Sequence, residues 1–156
     1  MRDIRTETAE LYERQADRLY RLAYARLLNA ADAEDAVAET FAKYLRKMPE
    51  FRDASHEKAW FLRVCINTCN DLARRRTVRA YTPLEELSEV LAAQEKDKSV
   101  LESVYALPEK YRMCVLLYYF EDFSVEETAK ALKTSVSAVK MRLSRAREML
   151  KTVLAQ

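Results

Sequence analysis

Val136, Val139, Leu143, Ala146 and Leu150 recur at steps of three and four, so one side of the last helix-forming stretch is apolar. The other side carries Ser137, Met141, Ser144, Arg145 and Glu148, with Lys140 and Arg142 on its flanks. Small side chains let a helix come close to a DNA groove, and Lys or Arg can then reach guanine edges or phosphates. A solvated charged face is the plainer reading of the same residues. The sequence just upstream favours the DNA face. Ser124 with Glu127 three residues later makes a capping box for a short helix ending near Leu132. Lys133-Thr-Ser135 then turns the chain into the final helix, about Val136 to Val153. Two helices joined by a short polar turn are the layout of a helix-turn-helix DNA reader.

A second stripe has a different chemistry. Trp60, Arg63, Asn67, Asn70 and Arg74 follow one another at steps of three and four, opposite Leu62, Cys65, Ile66, Cys69, Leu72 and Ala73. Trp60 is the chain's single tryptophan. An aromatic ring can stack on an unstacked base, Asn can bond its edge, and Arg can take the phosphates. Alternatively Trp60 packs under the loop from Glu50 to Ser55 and the polar residues face water. Spacing alone leaves both readings open. A third candidate is acidic. Asp32 and Glu34 suit a helix N-terminus, whereas Asp35 and Glu39, one turn apart, form a negative patch suited to a basic protein partner.

The elements that must position these residues are helices. The chain has 156 residues, no glycine and only three prolines, which disfavours hairpins and phosphate-cradling loops. Ala, Leu, Glu, Arg and Lys dominate, so the expected fold is all-α. A first helix spans about Thr8 to Leu28, with Tyr12, Ala16, Leu19, Ala23 and Leu27 as its apolar stripe. Asp32 is a plausible cap for a second helix, which buries Val37, Phe41, Tyr44 or Leu45, and Met48, and stops at Pro49. Ser55 would cap a third helix reaching about Arg76. A new helical group starts near Ser99, and Pro108 opens the helix Glu109 to Phe120.

Net charge is only +2, but its distribution is uneven. Between Lys133 and Lys151 lie six basic residues (Lys133, Lys140, Arg142, Arg145, Arg147, Lys151) against Glu148 alone. Arg74, Arg75, Arg76 and Arg79 form a second basic cluster. Glu85, Glu86, Glu89, Glu95, Asp97 and Glu102 lie between the two. This pattern suggests two DNA-facing modules joined by an acidic spacer. Cys65, Cys69 and Cys114 read as buried small hydrophobes, and the lone His56 is not at ligand spacing, so no metal and no cofactor are expected. No apolar run approaches about 20 residues and the N-terminus is charged, so no membrane insertion is expected and the chain reads as cytoplasmic.

Together these segments resemble the extracytoplasmic-function sigma factors, the smallest members of the sigma-70 family of RNA polymerase initiation factors. Asp32-Ala-Glu-Asp-Ala-Val-Ala-Glu-Thr-Phe41 is similar to the family's polymerase-binding segment. The stretch from Phe51 to Arg76 is similar to its promoter-melting segment. Leu107-Pro108 and the helix-turn-helix are similar to the module that reads the upstream promoter element. The resemblance implies two small helical domains. Residues 5–76 would be sigma region 2, 77–98 a linker, and 99–154 the sigma region 4 helix-turn-helix. It also implies roles by position. Asp35 and Glu39 would contact the clamp of the large subunit of core RNA polymerase. The loop from Arg52 to Glu57, with Trp60, Arg63, Asn67 and the basic Arg74, would capture and melt the −10 element as single-stranded DNA. Ser137, Lys140, Met141, Ser144 and Arg145 would meet the −35 element. An anti-sigma factor is an implied partner. Two positions depart from the family pattern: Ala38 stands where Gln is common, and Lys133 where the turn often has Gly.

The expected function is promoter selection and melting on behalf of core RNA polymerase, with no catalytic activity of its own. The alternative is a stand-alone helix-turn-helix regulator that binds a duplex operator without polymerase. An enzyme is a remote third class, since one histidine and no glycine leave no nucleophile-base spacing.

Overall fold

The computed structural model describes residues 3–75 and 98–154, with side chains at 98, 99, 153 and 154 left aside. Arg76, Arg79, the acids from Glu85 to Asp97 and the expected linker lie outside the described residues, except that Lys98 begins a helix. Every regular element among the described residues is helical, and they form two compact units.

The first unit holds α1 (Ile4–Leu27), α2 (Ala30–Lys47) and α3 (Ala54–Arg75), each packed on the other two. Asp3 caps α1 by accepting from the Thr6 N–H, and the Thr6 hydroxyl donates to the same carboxylate. These bonds hold the Asp3 carboxyl below the ordinary carboxylate range, with the Thr6 side chain the largest cause. Because α1 touches both other helices, its buried sector is wide: Leu11, Gln15, Leu19, Leu22, Ala23, Tyr24 and Ala25. The expected stripe is therefore rotated at its N-terminal end. Tyr12 is 53% exposed and lays its ring 5.1 Å from that of Phe41, while Ala16 and Leu27 are only partly covered.

Two expected caps belong to other residues. Asn29 caps α2, its side chain accepting from the Asp32 N–H, and Asp32 lies buried in the first turn instead. Asn29 fits because the cap must be extended, here φ −152° and ψ 122°. Asp53, not Ser55, caps α3. Its carboxylate accepts from the His56 N–H at 2.8 Å and its carbonyl from the Glu57 N–H. On α2, Val37, Phe41 and Tyr44 are buried and Leu45 is exposed; Met48 sits past the helix end in the left-handed region. On α3, Phe61, Leu62, Cys65, Ile66, Thr68 and Cys69 face the core, with Leu72 and Ala73 at its margin.

The second unit holds α4 (Lys98–Tyr105), α5 (Glu109–Val115) continuing as a π turn (Leu116–Phe120), α6 (Val125–Leu132) and α7 (Val136–Leu154). Helices α4, α5 and α6 all pack on α7. Pro108 sits at the cap, one residue before the expected first helical position, and contributes its carbonyl to Tyr111 and Arg112. The sequence treats Glu109 to Phe120 as one α-helix. The structure widens its last turn, where the Glu121 N–H bonds the carbonyl of Leu116 five residues back. Both halves of the Ser124–Glu127 capping box are formed.

The chain has no glycine, so at several helix ends other residues occupy the left-handed backbone region. Leu28, Met48, Asp122 and Lys133 have φ of 52°, 45°, 56° and 56°. Each β-carbon costs about 1 kcal/mol relative to glycine there. Lys133, at the turn before α7, holds the left-handed geometry that glycine would ease.

Candidate nucleic-acid and partner interface

Helix α7 fulfils the expected division of faces. Val139, Leu143 and Ala146 are buried, with Val136 and Leu150 partly so. Ser137, Lys140, Met141, Ser144, Arg145 and Glu148 are exposed, and Met141 stands 51% exposed among them. Ser135 caps α7 by accepting from the Ala138 N–H at 3.1 Å. That leaves the first turn of α7, with Ser137, at the open end of the helix-turn-helix.

The arginines of this unit are not loose. Arg145 lies at the Tyr111 hydroxyl of α5, and its guanidinium holds that phenol below its ordinary value. Lys110 lies 5.1 Å from the centroid of the same ring. Arg147 donates through Nη1 to the Tyr119 hydroxyl at 3.0 Å. Arg142 leans on Cys114, whose thiol burial nonetheless pushes up. Arg112 is a buried guanidinium that the sequence reading missed. Its Nη1 donates to the carbonyls of Leu107 at 2.9 Å and Tyr105 at 3.4 Å, tying the end of α4 to α5. No local signal in the sequence distinguishes Arg112 from a surface arginine.

In the first unit, the loop before α3 is built around Phe51. Its ring lies 5.9 Å from Trp60, 6.4 Å from Tyr44 and 5.4 Å from His56. The Arg52 N–H donates to His56 Nδ1 at 3.1 Å, which leaves the Arg52 side chain exposed. Trp60 is half-buried, edge-on to Phe61 at 5.0 Å and to Tyr44 at 6.2 Å. The two readings of Trp60 therefore meet: one part of the indole packs under the loop and the rest faces out.

The rest of that stripe divides. Asn70 turns toward α1, accepting from Arg26 Nε at 3.1 Å. Arg74 is exposed and ion-paired with Asp71. Arg63 and Asn67, partly exposed, have no hydrogen-bond partner among the described residues. Glu57 is committed elsewhere, to Arg14 and Gln15 of α1. On α2, Asp35 and Glu39 are both exposed, and Glu39 pairs with Arg46 at 2.9 Å.

Among the described residues no cluster of His, Cys, Asp or Glu could hold a metal ion. No helix among them is long and apolar enough to cross a membrane.

Two family models match the chain. "Sigma-70 region 2" covers residues 11–79 and "Sigma-70, region 4" covers residues 98–150. The chain is 31% identical to the RNA polymerase sigma factor SigV of Bacillus subtilis, over 88% of this chain and 84% of that protein. It is 30% identical to the ECF RNA polymerase sigma factor SigE of Mycolicibacterium smegmatis, covering 94% of this chain and 61% of that longer protein. Its fold is similar to that of Bartonella quintana RpoE, solved with the anti-sigma factor NepR. That match has a TM-score of 0.70 at 22% identity, over 99% of this chain and 98% of the other. CnrH, solved with the cytosolic domain of CnrY, matches with a TM-score of 0.65 at 24% identity, over 97% and 89% of the two chains.

Proposed function

Because the chain belongs to the sigma-70 family of RNA polymerase initiation factors, in its extracytoplasmic-function group, we propose a division of labour among its exposed faces. Asp35 and Glu39 dock the clamp of core RNA polymerase. Arg52, Trp60, Arg63, Asn67 and Arg74 engage the −10 element and hold its separated strand. Ser137, Lys140, Met141, Ser144 and Arg145 meet the −35 element. The domains follow the same division, with residues 5–76 for the first two tasks and 99–154 for the third. The protein would work in the cytoplasm, with no catalytic activity of its own and no cofactor.

The observation that carries this reading is the pairing of two chemistries on separate units of one chain. Helix α7 offers a basic, small-residue face suited to duplex edges. Helix α3 offers a partly exposed indole beside an arginine and an asparagine that have no hydrogen-bond partner among the described residues. Duplex reading alone requires only the first. A stand-alone regulator would leave the second without use, and the relatives are initiation factors rather than operator-binding regulators.

Each face is small and net charge is near zero, so binding to free DNA should be weak. Tethering both units on polymerase raises their effective concentration on a promoter and supplies affinity that neither has alone. An anti-sigma factor would restrain the chain by covering these faces.

The deciding experiment is transcription in vitro with purified core polymerase, this chain and a library of genomic fragments. Promoter-specific transcripts that depend on the chain support the proposal. Duplex binding without any chain-dependent transcript supports the regulator instead.

A further inference from the structure

Tyr119, from the π turn that ends α5, reaches across to α7 and accepts a hydrogen bond from Arg147 Nη1 at 3.0 Å. Arg147 lies outside the set of residues assigned to the −35 element above. Yet it continues their face: Lys140, Ser144, Arg147 and Lys151 follow at helical steps and all are exposed. The partner's chemistry is the informative part. Arg14 and Arg46 each hold a carboxylate, which offsets their charge. Arg147 is held by a phenol, a neutral acceptor. Its guanidinium keeps a full positive charge and four further N–H donors while losing part of its rotational freedom.

We infer that Arg147 is a further DNA-backbone contact of α7 and that Tyr119 is the residue that positions it. The ligand is a phosphate of the duplex. This rests on the reading of α7 as the DNA face. The π turn contributes by presenting Tyr119 at 48% exposure, clear of the core that Leu116 and Leu117 enter. A flexible arginine brought to a phosphate must give up rotamer entropy on binding. One already held by a phenol has given up part of it beforehand.

The test uses the full chain and a short mixed-sequence DNA duplex at low ionic strength, with affinity followed as salt rises. Arg147→Ala should lower the slope of log affinity against log salt by about 0.9, the value for one lost phosphate contact. Tyr119→Phe should keep the slope and weaken binding about three- to tenfold, the ordering cost of a side chain no longer held in advance. Tyr119→Glu should lower the slope as Arg147→Ala does, because a carboxylate cancels the charge. In an Arg147→Ala background Tyr119→Phe should have no further effect, and circular-dichroism melting should not change for any of these variants.

An undiminished cost of Tyr119→Phe in that background overturns the positioning role. Lys140→Ala separates the inference from the reading beneath it. If Lys140→Ala lowers the slope and Arg147→Ala does not, the inference alone is wrong. If neither does, α7 is not the DNA face and both fall.

Discussion

Arg14 of α1 grips Glu57 of α3 with two edges of its guanidinium, Nε and Nη2 each 3.1 Å from a different carboxylate oxygen. The two partners are not equivalent. Arg14 is half-exposed, whereas the Glu57 side chain is 13% exposed and also accepts from Gln15 Nε2 at 2.8 Å. Gln15 is itself buried and in turn accepts from Arg18. Loss of Arg14 removes a partly screened ion pair, worth about 1 kcal/mol or less. Loss of Glu57 also strands a buried amide donor, which costs about 1–3 kcal/mol. Chemical denaturation should therefore show Glu57→Ala to be clearly more destabilising than Arg14→Ala. Equal effects would mean that Gln15 finds water in place of Glu57.

Trp60 serves packing and the proposed strand capture at once, so its replacement should report both. Trp60→Ala should abolish promoter opening and also destabilise the first unit by about 1–3 kcal/mol, less than for a fully buried tryptophan. Arg63→Ala and Asn67→Ala remove no hydrogen bond among the described residues and should cost less stability than Trp60→Ala, about 1 kcal/mol or less. Permanganate footprinting of thymines in the open complex is the measurement. Normal opening by both surface variants would remove α3 from the melting role.

Asp35 and Glu39 carry the proposed contact with polymerase. Reversing both charges should weaken association with core polymerase at least tenfold, as judged by competition with another sigma factor. It should alter folding little, since both carboxylates are exposed and exposed pairs such as Glu39–Arg46 are each worth about 1 kcal/mol at most. Unchanged association would move the docking surface elsewhere.

Lys133 has φ 56° and ψ 47° at the end of α6, a left-handed position that glycine occupies without strain. Lys133→Gly should stabilise the second unit by up to about 1 kcal/mol, read as a raised melting temperature. The greater freedom of glycine in the unfolded chain works against this gain, so a fall in melting temperature would show that entropy outweighs the strain.

The three cysteines are fully buried, and a hydrogen bond of the Cys69 thiol to Cys65, together with burial, pushes the Cys69 thiol up. Burial also raises Cys114, against the opposing pull of Arg142. Thiolates, not thiols, react with alkylating agents. Iodoacetamide at neutral pH should label none of them in the native protein and all of them in denaturant. Fast native labelling of Cys65 or Cys69 would reveal local opening of α3.

Much of this protein is legible in its residues because helices are specified locally. Apolar spacing set the exposed face of α7, and Ser124 with Glu127 set the start of α6, since each depends on neighbours within a turn or two. Lys133 stood out only against the family pattern, where the turn often has Gly. What the tertiary structure decided involves partners far apart in sequence. The wide buried sector of α1 follows from its contact with two helices. Glu57 looks like a member of the loop before α3 until α1 claims it across 43 positions. Trp60 sits on a polar stripe by spacing, but Phe51 folds over part of it. Arg112 and the Tyr119–Arg147 pair carry no periodic signal. A hydrogen bond between residues 28 apart is fixed only when the chain closes and brings the π turn against α7.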